Sequence, residues 1–191
     1  MTEPESIPSD AGQPALVLAP WVRVVAVLAG VLLMVLAGQI TVPHLGSPVP
    51  MTLQSFAVIV IGGVFGSRLG ALTMVGYLLL GTLGLPIFAN GEAGLARLMG
   101  PTGGYLLAFP LAAAATGAIV RTKGIMRAWL GGLAGMVIIH LGGITQLTVL
   151  GSDLQVAFGP GPIPFVMASF GKVGVASVMM PWLRRRLPIA A

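Results

Sequence analysis

Six apolar stretches without a single Asp or Glu fill most of this sequence. Charged residues make up only 8% of the chain, whereas soluble domains carry about 25%. A soluble fold would have to cover its surface with polar groups that this chain does not have. The sequence therefore predicts an all-α integral membrane protein with one membrane domain.

The apolar stretches predict the membrane-spanning helices. A helix that crosses the bilayer needs about 20 apolar residues, and about 17 at minimum. The second stretch is shorter, which suits a tilted or partly re-entrant helix. We expect a six-helix membrane domain over residues 21–186, a disordered cytoplasmic tail over 1–20 and a short cytoplasmic tail over 187–191. The predicted spans are residues 22–40, 53–65, 71–85, 104–120, 129–150 and 163–183.

The basic residues predict how the helices are oriented. Six spans put both termini on one side of the membrane, and that side holds Arg23, Arg68, Arg121, Lys123, Arg127, Arg184, Arg185 and Arg186. The other side has only one cation, Arg97. Because cytoplasmic loops carry an excess of Lys and Arg, both termini are expected in the cytoplasm. We expect a multi-pass protein of a bacterial-type inner (plasma) membrane, with outward-facing loops at 44–52, 86–103 and 151–162.

A long irregular stretch, residues 84–105, separates two of the apolar runs. It reads GLPIFANGEAGLARLMGPTGGY and contains six of the 28 glycines. Irregular segments of this length are uncommon unless they are functional or disordered. Its Phe and Leu side chains give it apolar surface to bury. We therefore expect an ordered loop that dips back toward the membrane and helps to close a ligand pocket.

Lys172 is the sharpest candidate for a binding residue. It lies near the middle of the sixth span, where a lysine costs about 2.5–3.5 kcal/mol on insertion scales. No span contains an acid to neutralise it. The side chain therefore reaches toward the membrane surface, pairs with Asp153 in the preceding loop, or binds an anionic ligand. The last interpretation is favoured, because a cation in a low-dielectric pocket binds a carboxylate well.

Three polar or aromatic residues, all outside the middle of the membrane, are further candidates for the outer mouth. The amide of Asn90 offers donors and an acceptor to a neutral group with N–H and C=O atoms, or it forms a turn with Gly91. Gln54 lines the same mouth or satisfies backbone groups. Tyr105 is an interfacial anchor or a pocket wall. His140 is more simply explained as a packed residue than as a proton relay.

Several classes of function are excluded by missing residues. The chain has no cysteine, no Walker motif and no G-x-S-x-G, so a thiolate metal site and intrinsic ATP hydrolysis are ruled out. It also lacks paired carboxylates for acid–base chemistry, which makes an enzyme the weakest class. His44 has no second ligand nearby, so we expect neither a metal nor a cofactor. The cations are not interleaved with exposed aromatics, so nucleic acid is not an expected partner.

Small residues recur along the first span. Ala26 and Gly30 are four positions apart, a spacing that lets another helix approach closely. That helix belongs either to the same chain or to a partner protein, and the sequence leaves both open.

Three segments carry a resemblance to a known family. PVPMTLQSF (48–56), YLLLGTLGLPIFANGEAGLARLMGPTGGYLLAF (77–109) and PFVMASFGK (164–172) resemble the BioY family, the biotin-binding S components of energy-coupling factor transporters. The resemblance implies six membrane helices around an outward-facing pocket. It also implies that the loops between helices one and two, and between three and four, cap that pocket.

The resemblance implies biotin as the ligand and assigns residues to it. Lys172 matches the family's lysine on the last helix, which suits the carboxylate. Asn90 matches a polar position suited to the ureido ring, and Gln54 and Tyr105 match motif positions that line or support the pocket. Arg97, the outer cation, completes the expected substrate-binding set together with Ser169.

Ser169 departs from the family pattern. The family's last helix usually has Asp there, three residues before the lysine, whereas this chain reads PFVMASFGK. A serine hydroxyl accepts a hydrogen bond from a ureido N–H more weakly than a carboxylate does, and Lys172 loses a neighbouring counter-ion. The change leaves affinity open and keeps a different anionic vitamin as an alternative ligand.

The resemblance also implies partners. A membrane coupling protein and two ATPase subunits would drive transport, and the face of Ala26 and Gly30 resembles the small-residue signature with which S components dock. A self-sufficient carrier, acting as a monomer or a homo-oligomer, is the alternative mechanism. A structural subunit that binds no solute is the third hypothesis.

Overall fold

The computed structural model describes residues 19–42, 49–121, 124–151, 162–187 and 189, without the side chains of 42 and 162–166. Every long element in it is a helix. The helices are α1 (Pro20–Gln39), α2 (Gln54–Phe65), α3 (Ser67–Thr82), α4 (Leu95–Met99), α5 (Gly103–Ile119), α6 (Ile125–Val149) and α7 (Pro162–Arg186). Two short strands, β1 (Thr41–Val42) and β2 (Met51–Thr52), pair antiparallel.

The six long helices fall on the six predicted spans, and their ends agree within four residues. The all-α class is therefore confirmed. The third helix begins before the predicted start of its span at residue 71, because Gly66 alone reverses the chain with a φ of 82°, a conformation that glycine adopts readily. Ser67 already begins α3. Gly70 belongs to that helix, where its missing side chain lets α3 approach Gly62 of α2 closely.

Two helices are long and apolar enough to cross a membrane by length and composition. They are α1, with a mean hydropathy of 2.3, and α6, with a mean hydropathy of 1.5; α2 and α5 are shorter apolar helices. The search covers only the described ranges. The number of spans and the side on which each terminus lies therefore stay predictions.

Helix α2 forms the centre of the bundle. Nine of its 12 residues are buried, and it packs against α1, α3, α5, α6 and α7. A helix that is apolar all round is a buried helix, and the neighbours of α2 cover it on its different sides. At Gly62 a Cβ would overlap the backbone of Ala113, which shows how closely α5 approaches.

The small residues of α1 pack inside the chain. Ala26 is 5% exposed, Gly30 is buried, and a Cβ on Gly30 would overlap Thr73 of α3. Packing against a sister helix is therefore the arrangement found. The outer face of α1 exposes Leu28 and Leu32, and the docking of a partner protein at Ala26 and Gly30 stays a prediction.

Candidate functional site

One cavity brings together most of the residues predicted from the sequence. Its walls come from β2 and the start of α2, from the 84–105 loop, and from α5, α6 and α7. The cavity volume is about 60 Å³. The lining residues are Val49, Pro50, Met51, Thr52, Gln54, Ser55, Phe88, Ala89, Arg97, Thr102, Tyr105, Leu106, Phe109, Ile139, His140, Ser169 and Lys172.

Lys172 is fixed in this cavity by two hydrogen bonds. Its Nζ donates to the carbonyl oxygen of Thr52 at 2.7 Å and to Oγ of Ser55 at 3.0 Å. An ammonium group has three N–H donors, so these bonds leave one for another acceptor. Asp153, the protein counter-ion considered above, lies outside the described residues. The residues at the start of α2 thus orient the ammonium group of Lys172, which lies on α7.

Ser169 and His140 form a polar pair one turn from the lysine. Ser169 Oγ is 3.3 Å from Nε2 of His140, whose Nδ1 is 2.6 Å from the carbonyl oxygen of Met136. A carbonyl can only accept, so Nδ1 carries a proton. In the neutral ring Nε2 then accepts the Ser169 hydroxyl proton. Both side chains line the cavity.

His140 is a residue whose role sequence reasoning underestimated. It is packed, as expected, with its ring 6.5 Å from that of Tyr105 in an edge-on arrangement. It also lines the cavity. A single histidine in an apolar helix gives no signal of which neighbour it faces, and only the packing of α6 against α7 places it beside Ser169.

Gln54 both lines the cavity and supports the loop that closes it. Its Nε2 lies 2.5 Å from the Tyr77 hydroxyl, which donates to the carbonyl oxygen of Ile87 at 3.1 Å. Gln54 is 3% exposed and Tyr77 is fully buried. This chain of bonds connects α2 and α3 to the 84–105 loop, and the Gln54 amide reaches the backbone only through the Tyr77 hydroxyl. Tyr77 was not singled out by the sequence, since one tyrosine in an apolar span fits many roles.

The 84–105 loop is ordered, as predicted, and Phe88 anchors it. Phe88 is fully buried, lies edge-on to Tyr77 with ring centroids 5.5 Å apart, and occupies the space beside Gly81, where a Cβ would overlap its ring. Leu95 and Met99 of the same loop are exposed. The loop lines the cavity with Phe88 and Ala89 from its first half and with Arg97, Thr102 and Tyr105 from its second half.

Asn90 lies outside the cavity wall in this structure. It is exposed, and its φ of 59° is the one left-handed value of a non-glycine residue in the described chain. Its Oδ1 accepts a hydrogen bond from Oγ1 of Thr41 at 3.1 Å. The turn is the role that the structure displays, whereas contact with a ligand stays a prediction.

Two further predicted residues reach the cavity. Arg97 of α4 lines it and forms an ion pair with Glu92, with 2.6 Å between Nη1 and Oε2. Tyr105 is 8% exposed and lies over Gly143 of α6, where a Cβ would overlap the ring. Of the two interpretations of Tyr105, the structure selects the pocket wall. Within the described ranges, no group of three His, Cys, Asp or Glu residues could hold a metal ion.

The sequence carries the signature of a family along nearly its whole length. A family model, the BioY family, matches residues 13–189. The chain belongs to the BioY family. The biotin transporter BioY of Thermotoga maritima is 39% identical over 154 residues, which cover 80% of this chain and 90% of that protein. The probable biotin transporter BioY of Pyrococcus horikoshii is 39% identical over 132 residues, covering 69% of this chain and 78% of that one.

The BioY fold is also found in a solved structure. A crystal structure of the S-component for biotin from an ECF-type ABC transporter matches this chain with a TM-score of 0.76 at 21% identity. The match covers 88% of this chain and 95% of the solved one. The helical bundle described above is therefore the fold of that component.

Proposed function

We propose that this BioY family member captures biotin from outside the cell for ATP-driven uptake. Its relatives are named as biotin transporters, and a chain of the same fold is an S-component for biotin. The observation that carries the proposal is the Lys172 ammonium, held by Thr52 and Ser55 in a wall that is otherwise mostly apolar. A preoriented cation among apolar side chains suits a ligand with an apolar body and one carboxylate.

The polar atoms of biotin have complementary groups in this cavity. The valerate carboxylate can accept from the remaining N–H of Lys172. The ureido N–H groups need acceptors, and the oxygen of the Ser169 hydroxyl, which lines the cavity beside His140, is such an atom. Arg97 supplies a second cation near the 84–105 loop, although its ion pair with Glu92 offsets that charge.

Binding requires the cavity to widen. A cavity of about 150 Å³ holds benzene, and biotin is larger than benzene, so a cavity of about 60 Å³ does not accommodate it. The loop at 84–105 is the wall that can move without breaking a long helix. The same movement would break the hydrogen bond between Asn90 and Thr41. Asn90 could then reach the ureido ring, so we expect it to contact the ligand only after the loop has moved.

Transport needs a membrane and partners. We infer six membrane-crossing helices with both termini in the cytoplasm, because the basic residues cluster at one end of the helices and the cavity lies among the other loops. In this arrangement a membrane coupling protein and two ATPase subunits drive the captured biotin into the cell. A self-sufficient carrier is the alternative; uptake in cells that lack any coupling module would favour it, and strict dependence on ATPase subunits would exclude it.

Equilibrium binding tests the proposed ligand. The detergent-purified chain is titrated with biotin and with biotin methyl ester, which lacks the anionic carboxylate. Tight binding of biotin and weaker binding of the ester are expected. A folded chain that binds neither compound would refute the proposal and would direct the search to another vitamin, because Ser169 replaces the family's usual acid.

A further inference from the structure

Thr102 is a buried polar residue that the proposal above does not use. It precedes α5 and lines the cavity, its exposed fraction is 9%, and its Oγ1 is buried. This oxygen has no hydrogen-bond partner among the described residues, and no other buried side-chain nitrogen or oxygen of that part of the chain is in the same state. Native proteins pair nearly all such atoms, so this one requires an explanation.

Helix capping does not explain the hydroxyl. A threonine before a helix normally has an extended backbone and accepts a hydrogen bond from an N–H of the first turn. Thr102 has φ −93° and ψ −6°, which is close to helical, and its side chain makes no capping bond. Its backbone carbonyl accepts from the amide of Leu106 at 3.2 Å. The Thr102 side chain therefore does not cap α5, which is what a threonine before a helix usually does.

The surroundings of Thr102 indicate a ligand as the missing partner. It follows α4, which carries Arg97, and it comes one turn before Leu106; both of these residues line the same cavity. Lys172 and Ser169 approach this cavity from α7, a different element. A hydroxyl both donates and accepts, so it can pair with either a carbonyl or an N–H group.

We propose that the Thr102 hydroxyl hydrogen-bonds the ureido ring of bound biotin, an inference that rests on the proposed function. The assignment to the ring follows from the polar atoms available. With the carboxylate at Lys172, the remaining strong polar atoms of biotin are the ureido carbonyl and its two N–H groups. The ring is then recognised from two elements, by Thr102 at the start of α5 and by Ser169 of α7, while Lys172 of α7 binds the carboxylate.

A pair of substitutions separates this role from a structural one. Thr102→Val keeps the shape of the side chain and removes the hydroxyl, whereas Thr102→Ser keeps the hydroxyl. The full chain in detergent is titrated with biotin and with biotin methyl ester, and its thermal unfolding is recorded without ligand. For Thr102→Val we expect the Kd for each compound to rise about tenfold, since the ureido group loses its partner in a buried site.

The stability of the ligand-free protein should not fall when Thr102 is replaced by valine. Replacing an unpartnered buried hydroxyl by a methyl group is neutral or stabilising, so the unfolding temperature of Thr102→Val should equal or exceed that of the parent. Thr102→Ser should resemble the parent in affinity for both compounds.

Three results would overturn the inference while leaving biotin as the ligand. The first is an unchanged Kd in Thr102→Val, which would mean that a water satisfies the hydroxyl. The second is a lower unfolding temperature in the free valine variant, which would mean that the hydroxyl has a protein partner. The third is a loss confined to biotin and absent for the ester, which would place Thr102 at the carboxylate. A parent chain that fails to bind biotin would instead remove the proposed function, and this inference with it.

Discussion

Replacing Lys172 by methionine tests the central element of the binding site. Methionine has a similar length and no charge, so Lys172→Met removes the ammonium group with little change in volume. Two of the three N–H donors of Lys172 are used by Thr52 and Ser55, at 2.7 and 3.0 Å. One donor is left for the ligand, so the substitution removes one charge-assisted hydrogen bond to the carboxylate.

The size of the loss follows from that single bond. A hydrogen bond to a charged group contributes about 1.5–3 kcal/mol, which corresponds to a rise in the Kd for biotin of about 12- to 150-fold. The ester lacks the anion, so its Kd should change much less. The measurement is the ratio of the two Kd values, which should fall toward one in Lys172→Met.

A matched control is available on the same helix. Ser177 is 4% exposed, and its hydroxyl bonds only within α7, to the carbonyl oxygen of Gly174 at 2.7 Å. Ser177→Ala should therefore leave both Kd values unchanged. If Lys172→Met unfolds at the parent's temperature, binds biotin within twofold of the parent and still discriminates against the ester, the lysine does not hold the carboxylate.

Three further substitutions test other parts of the site. Ser169→Asp should tighten biotin binding about tenfold, because a carboxylate accepts a ureido N–H more strongly than a hydroxyl does; weaker binding in the titration would contradict this. Tyr77→Phe should lower the free energy of unfolding by about 1–3 kcal/mol, since it leaves the buried Gln54 amide and Ile87 carbonyl unpaired; an unchanged thermal or denaturant midpoint would refute that. Gly143→Ala should displace the Tyr105 ring, at a cost of about 1–3 kcal/mol in stability and with weaker biotin binding. Gly174→Ala, which has no neighbouring atom within 4 Å, is its control, and equal effects of the two substitutions would exclude the ring contact.

Much of the site was predictable because its residues are chemically unusual where they occur. A lysine without an acid in any apolar stretch had few roles open to it, and the structure holds Lys172 at the cavity. Gln54, Tyr105, Arg97 and Ser169 also line the cavity. The helices that carry Gln54, Tyr105 and Ser169 were correctly located from hydrophobicity, whereas Arg97 lies on α4, a short helix inside the stretch predicted to be irregular.

The remaining features depend on directions that a sequence does not encode. Asn90 was expected in the wall, but its left-handed backbone turns the side chain toward Thr41. Ala26 and Gly30 indicated a close helix approach without indicating which helix, and it is α3 of the same chain. His140 reaches the site through the rotation of α6 about its axis. That rotation is determined by all its neighbours together, since α6 is apolar nearly all round.

The enclosure of α2 has a mechanical consequence. This helix of 12 residues is about 18 Å long. It begins with Gln54 and Ser55 at the cavity and ends beside Gly66 at the opposite end of the bundle. With neighbours on all sides, it has no free direction in which to tilt alone. A ligand that displaces the first turn of α2 would therefore also displace the five helices packed against it. Binding at one end of the bundle would in this way change the position of the α2 residues at the other end.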